Sequence, residues 1–216
     1  MKNNFAVLGL GTFGTSLAEE LSRAGHSVLV VDLDADKVNA IKDRVTEAVI
    51  ADASNQDVIK EIDVKRFDSV ILGLSDHFED LILAITHLKQ EGAKKVIAKA
   101  NTSIQKRILL RLGADDVILP ERDVAERLAK RLSLTNVSDM FEFKGSMIAD
   151  VTVPETMDGK SILELDLRNR FNLIILLVKK PNRGPETIVD PNMKLFAGDE
   201  LTVIGKEENI VKVFKS

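Results

Sequence analysis

The sequence predicts an α/β protein: a doubly wound parallel sheet followed by a smaller α+β module. Three observations carry that expectation. Short, continuously apolar runs alternate with helical patterns through residues 1–134. A glycine turn, Gly9-Leu10-Gly11-Thr12-Phe13-Gly14, joins the first run to the first helix, and the next apolar run ends on Asp32. Near Thr135 the alternation stops, and residues 135–216 read as a linker and a separate module.

The elements follow in order. Phe5-Ala6-Val7-Leu8 is a buried strand, because strands of a parallel sheet are apolar on both faces. Leu17, Ala18, Leu21 and Ala24 share one helical face, stopped by Gly25, and Val28-Leu29-Val30-Val31 is the second strand. Asp34 caps a helix carrying Val38 and Ile41. Ala48-Val49-Ile50-Ala51 is the third strand, and Asn55 caps a helix with Val58, Ile59 and Ile62 inward. Val70-Ile71-Leu72 ends at Gly73, before a long helix carrying Leu81, Leu83, Ala84, Ile85 and Leu88. Val96-Ile97-Ala98 precedes the apolar face Ile104, Ile108, Leu109 and Leu112. Val117-Ile118-Leu119 is the sixth strand, and Glu121 to Leu132 an amphipathic helix with Val124, Ala125, Leu128 and Leu132 on one side. Such alternation implies the strand order 3-2-1-4-5-6, with a ligand beside strand one, where the order reverses. This is the Rossmann-type arrangement. In the tail, strands are expected at Met147 to Val153, Leu173 to Lys179, Thr187 to Val189 and Leu201 to Ile204. Helices are expected at Ile162 to Leu167 and Glu207 to Phe214, with a Pro/Gly turn at Pro181, Gly184 and Pro185.

The glycine turn has a chemical reading. Gly9 permits a tight turn, Gly11 lets a phosphate reach the backbone, and Gly14 lets the helix pack against the strand. The helix N-terminus then faces the phosphates, and Asp32 accepts hydrogen bonds from both ribose hydroxyls. A carboxylate there disfavours a 2′-phosphate, which argues against NADP.

Composition bounds the rest. Of 216 residues, 44 % are apolar, enough for a core. The net charge of −4 makes no case for nucleic acid. With no cysteine there are no disulfides, thiolate metal sites or cysteine nucleophiles. No signal-peptide core follows Met1, and no apolar run approaches the ~20 residues of a membrane span, so a cytosolic chain is expected. His26, His77 and His87 have no metal-ligand spacing and read as structural. Lys94-Lys95 and Lys130-Arg131 read as solvated surface pairs.

Several runs together resemble the cytosolic RCK (regulator of potassium conductance) subunits of the bacterial Ktr/Trk potassium uptake systems. They are Phe5 to Gly14, Asp32, Asp52-Ala53-Ser54, Lys99-Ala100-Asn101, Leu112-Gly113-Ala114-Asp115 and Pro120-Glu121-Arg122-Asp123. In the tail, Leu165-Asp166-Leu167-Arg168 and Gly198 to Gly205 resemble that family's second module. The match is collinear over nearly the whole chain. The resemblance implies a non-enzymatic regulator that forms homodimers within an octameric ring. The ring would lie at the inner face of the membrane, held by a potassium-translocating integral-membrane subunit. It also implies ATP or ADP in the Rossmann site, with NADH ranked behind them, and in some relatives cyclic di-AMP in the C-terminal module. The family usually carries Arg at the position of Thr12, contacting the terminal phosphate of ATP. Thr12 offers a hydroxyl but no charge, which leaves the ATP-to-ADP preference open.

The resemblance places further residues, each with a plainer alternative. Asp52, Ala53 and Ser54 would meet the adenine, or simply form a capped turn. Leu72 and Gly73 would lie over the adenosine, or simply end a strand. Lys99 would counter the phosphates, or be a solvated lysine. Glu121 would ligate Mg²⁺ or Ca²⁺ beside the phosphates, or be an acid favoured in a first helical turn. Arg168, near Asp166 and Asn172, would hold the cyclic dinucleotide's phosphates. Ile162, Leu163, Leu167 and Ile174 would clamp its bases, with Pro191 closing the pocket; otherwise these residues are core and dimer contacts. The helices at Ser103 to Leu112 and Glu121 to Leu132 are the candidate subunit contacts.

Two rival classes fit less of the chain. An NAD-dependent dehydrogenase needs a substrate domain with a positioned acid/base, and the tail has no histidine and no catalytic constellation. A redox-sensing repressor needs a basic helix-turn-helix, and none is found in the tail.

Overall fold

The structure, a computed structural model, describes residues 2–74, 78–133, 136–180, 184–186 and 189–214. The chain divides into two compact units, residues 1–122 and 123–216. The division falls near the start of the helix Pro120–Ser133, whereas the sequence pattern places the boundary after it, at Leu134 and Thr135, which lie outside the described residues.

The first unit runs β1 (Asn4–Leu8), α1 (Thr12–Arg23), β2 (Ser27–Asp32), α2 (Ala35–Ile41), β3 (Glu47–Ile50), α3 (Gln56–Glu61), β4 (Ser69–Leu72), α4 (Phe78–Gln90), β5 (Val96–Lys99), α5 (Ser103–Arg111), β6 (Asp116–Ile118) and the start of α6 (Pro120–Ser133). Its six strands are parallel in the order β3-β2-β1-β4-β5-β6, as expected. Alternating side chains make two cores. Val7, Val28, Val30 and Ile71 face Ala18, Val38 and Ile41 on one side. Leu8, Leu29, Val31, Leu72 and Ala98 face Ile59, Leu81, Ile85, Leu88 and Leu109 on the other. Helix starts are set locally: Asp34 accepts from the N–H groups of Asp36 and Lys37, Asn55 from that of Asp57 and Thr102 from that of Gln105.

The apolar face expected on α5 is only partly internal. Leu109 is buried, while Ile104, Ile108 and Leu112 are exposed. No residue of α6 is buried, and Val124, Leu128 and Leu132 are exposed.

The second unit holds an antiparallel sheet of β7 (Val137–Phe143), β8 (Ser146–Thr152), β9 (Ile174–Lys179), β10 (Pro185–Glu186) and β11 (Glu200–Gly205), in the order β10-β9-β11-β8-β7. Its helices are α7 (Ile162–Leu165), α8 (Leu167–Phe171) and α9 (Glu207–Phe214). Ala149, Val151, Val178, Leu201 and Val203 pack with Leu165, Leu167, Ile210 and Phe214.

Two expectations are corrected here. Residues 135–146, read as a linker, contain β7, paired with β8 through a Lys144-Gly145 turn in which both residues have positive φ. A register shift between Val137 and Asp139 breaks the period-two pattern that would have marked the strand. The single helix expected from Ile162 to Leu167 is split at Asp166, which adopts the left-handed conformation, φ 44°. Of the strand expected at Thr187 to Val189, Thr187 and Ile188 lie outside the described residues, as do His77 and Pro181; Val189 is in no strand.

Candidate nucleotide site

Both ends of the glycine turn are fixed by backbone contact. Gly9 has φ +100°, and its N–H donates to Val31 O at 2.8 Å. A Cβ on Gly14 would stand 2.0 Å from Gly9 O, and one on Gly73 would stand 2.9 Å from the same oxygen. Gly9 O therefore sits between α1 and the end of β4 with no room for a methyl on either side. Gly11 differs: a Cβ there would meet nothing within 4 Å. The turn is closed where the chain packs and open where a ligand would approach.

Asp32 ties this turn to the next loop. One carboxylate oxygen accepts from Leu10 N–H at 2.5 Å and the other from Asp34 N–H at 2.8 Å. A carboxylate oxygen has a second lone pair, so both can still accept from a ribose diol. Asp52 accepts from the N–H and hydroxyl of Ser54 at 2.8 and 2.7 Å, closing its turn, and Ala53 is buried behind it.

These loops border a cleft of about 480 Å³ lined by Gly9, Gly11, Asp32, Leu33, Asp34, Lys37, Ala51, Asp52, Ala53, Gly73, Leu74 and Asp80. It lies at the carboxyl ends of the strands, beside the point where the order reverses from β1 to β4. Five of its residues, Gly9, Gly11, Asp32, Asp52 and Ala53, carry the nucleotide reading of the sequence, and Gly73 joins them. Leu72 is wholly buried beneath the cleft. Gly14 is packing, Phe13 is half-buried against the core of α1 and α2, and Thr12 is exposed at the start of α1. Leu33, Asp34, Lys37, Ala51, Leu74 and Asp80 line the cleft without having been singled out. Leu33 directly follows Asp32 and Ala51 directly precedes Asp52, which is the signal that could have found them.

Lys99 lies two strands away, at the end of β5, and does not line the cleft among the described residues. It is 9 % exposed and pairs with Glu121 at 2.7 Å. That hydrogen bond holds the Glu121 carboxyl below the usual glutamate range. Among the described residues no three His, Cys, Asp or Glu side chains gather as a metal site. A cation at Glu121 would thus have one protein carboxylate and need its other oxygens from phosphate or water.

In the second unit, Ser161 and Glu164 form a capping box at α7. Leu163 N–H donates to Pro191 O at 2.8 Å. Leu163, Arg168, Asn172, Ile174 and Pro191 are exposed, Ile162 and Asp166 are half-buried, and Leu167 is a core residue. Asn172 ends α8 with φ 52°.

Comparison with known proteins fits this geometry. The TrkA-N domain model matches residues 5–120 and the TrkA-C domain model residues 147–216. The chain is 34 % identical to the Ktr system potassium uptake protein C of Bacillus subtilis (strain 168), covering 100 % of this chain and 97 % of that protein. It is 32 % identical to the Ktr system potassium uptake protein A of Vibrio alginolyticus, covering 98 % and 96 %. Among solved structures, the GsuK RCK domain superposes with a TM-score of 0.65 at 18 % identity, over 99 % of this chain and 47 % of that one. The GsuK channel bound to NAD gives 0.69 at 18 %, over 99 % and 39 %. At that identity the likeness is one of fold, and the chain spans less than half of each GsuK chain. No helix among the described residues is long and apolar enough to cross a membrane. With two domain models matched in order and relatives aligned end to end, the chain belongs to the TrkA-N/TrkA-C family of RCK-type proteins, together with the Ktr system potassium uptake proteins A and C.

Proposed function

We propose that this chain is the cytosolic, non-enzymatic regulatory subunit of a Ktr-type potassium uptake system, and that ATP or ADP bound in the cleft sets its state. The observation that carries the reading is the cleft itself: an open Gly11 beside the Asp32 carboxylate, in a chain collinear with Ktr proteins. Binding energy becomes regulation only through differential affinity. The nucleotide favours whichever subunit arrangement it binds more tightly, and the membrane subunit responds to that arrangement. The arrangement is a homodimer repeated into an octameric ring, held at the inner membrane face by its potassium-translocating partner. The exposed apolar faces of α5 and α6 support such contacts.

Glu121 takes Mg²⁺ or Ca²⁺ with the nucleotide phosphates, exchanging its pairing with Lys99. Arg168, Asn172 and Ile174, exposed on the second unit, bind cyclic di-AMP. The test is thermal stabilisation of the purified chain by ATP, ADP, NAD, NADH and cyclic di-AMP separately, with and without Mg²⁺. At about 100 times Kd a ligand should add roughly 2.7 kcal/mol. Stabilisation by ATP or ADP, lost in Asp32→Ala, is expected. A response to NADH alone overturns the nucleotide assignment. Cyclic di-AMP stabilisation should survive Asp32→Ala and vanish in Arg168→Ala.

A further inference from the structure

Four carboxylates line the cleft: Asp32, Asp34, Asp52 and Asp80. Three are already engaged. Asp32 accepts from two backbone N–H groups. Asp34 caps α2 and faces Lys37 at 3.7 Å. Asp52 closes its own turn through Ser54. Asp80, half-buried in the first turn of α4, has no hydrogen bond or ion pair with any described residue. It is therefore a carboxyl acceptor at the cleft wall with no partner among the described residues.

A ligand that fills the cleft strips water from Asp80. Since no described residue donates to it, a donor on the ligand is what would replace that hydration. Phosphate cannot supply one. Lys37 is the one cation among the described lining residues, and Asp34 already engages it. The phosphates must therefore point away from this wall, toward Gly11, where the backbone is open and the start of α1 is positive. That orientation leaves the base between the Asp52-Ala53 loop and the Gly73-Leu74 end of β4. Leu33, Ala51 and Leu74 give it apolar contact.

We infer that Asp80 is a specificity-determining residue that accepts a hydrogen bond from the exocyclic amine of adenine, so that the cleft selects adenine nucleotides over those with a 6-oxo purine. Hypoxanthine and guanine present an oxygen at that position, and two acceptors facing each other in a desolvated site repel. The inference rests on the nucleotide reading of the cleft but not on which adenine nucleotide occupies it.

Isothermal titration of the full chain tests it with two matched pairs: ADP against IDP, and NAD against nicotinamide hypoxanthine dinucleotide. Whichever pair binds, the adenine form should be favoured by roughly tenfold or more. Asp80→Asn is isosteric, and its amide can donate to the 6-oxo group. The preference should fall toward unity while the melting temperature holds. Glu79→Gln, at the exposed neighbour in the same helical turn, which does not line the cleft, should leave the preference in place. Equal affinity for both members of each pair in the unaltered protein overturns the role of Asp80 while leaving the nucleotide site standing. So does a preference that Asp80→Asn leaves intact or that Glu79→Gln alone abolishes. Binding of none of the four, nor of ATP, overturns the nucleotide reading and this inference together.

Discussion

Two glycines of one turn should fail in opposite ways when given a methyl group. In Gly14→Ala the new Cβ stands 2.0 Å from Gly9 O. An ordinary carbon–oxygen contact is about 3.3 Å, so α1 and the turn must separate by about 1.3 Å. The carbonyl has nowhere to retreat, because Gly73 closes its other side. Overpacking against backbone costs about 1–3 kcal/mol. The helix-propensity gain of alanine over glycine, about 1 kcal/mol, offsets part of that. The net loss should be about 1 kcal/mol and at most about 2 kcal/mol, read by urea denaturation followed by circular dichroism. In Gly11→Ala nothing lies within 4 Å, and φ −69°, ψ −179° suits any residue. Stability should stay within about 0.5 kcal/mol, since a poorer N-cap and a stiffer unfolded chain oppose each other. Nucleotide affinity by titration should nonetheless fall roughly tenfold or more, because the methyl stands where a phosphate meets the backbone. A Gly14→Ala protein as stable as the original would refute the packing argument. Unchanged affinity in Gly11→Ala would refute the phosphate approach.

Asp32→Ala removes the acceptor for Leu10 and Asp34 N–H groups; it should cost about 1–3 kcal/mol without ligand and abolish nucleotide stabilisation, both read by thermal melting. Glu121 titrates below the usual glutamate range because Lys99 hydrogen-bonds it, so its contribution is present above the unfolded-state value and is lost as pH falls through the lowered folded value. A carbon-detected NMR titration should find that lowered value and its return to normal in Lys99→Met. Leu128→Asp, on the exposed face of α6, should leave the circular dichroism spectrum unchanged and lower the mass measured by light scattering.

The first unit is legible in the sequence because its signals are local and redundant. Six apolar runs, two side-chain caps and the spacing from Gly9 to Asp32 all point to one sheet order, and the structure has that order. The tail is less legible because its decisive signals are single backbone conformations. Asp166 at φ 44° interrupts a periodic apolar run, and no residue type forces that conformation on aspartate. The Lys144-Gly145 turn is a two-residue hairpin signal, but lysine at φ 51° is not the usual first residue of such a turn. The cleft lining is legible in part for a different reason. Asp32 and Asp52 sit at strand ends, where chain order places them. Asp80 reaches the same cleft from a helix far along the chain, which only the tertiary fold reveals.

The exposed face of α6 bears on the assembly proposed above. The helix has 14 residues and buries none of them, and an isolated helix of about 12–15 residues is marginal in water. Val124, Leu128 and Leu132 are 53 %, 42 % and 76 % exposed. Fully burying such a side chain is worth about 1.5–3 kcal/mol, so covering these half-exposed ones gives roughly 3–5 kcal/mol per helix. A two-fold pairing doubles that to roughly 6–10 kcal/mol. Association itself costs about 4–15 kcal/mol, so α6 alone gives at most a weak dimer. The second exposed face, Ile104 and Ile108 on α5 with Leu112 at its C-cap, supplies a somewhat smaller area. An assembly that uses both faces is held by margins of a few kcal/mol. The proposed nucleotide would act on the same scale, roughly 2.7 kcal/mol at 100 times Kd. In the proposed ring it would shift the assembly because neither contact is strong enough to fix it.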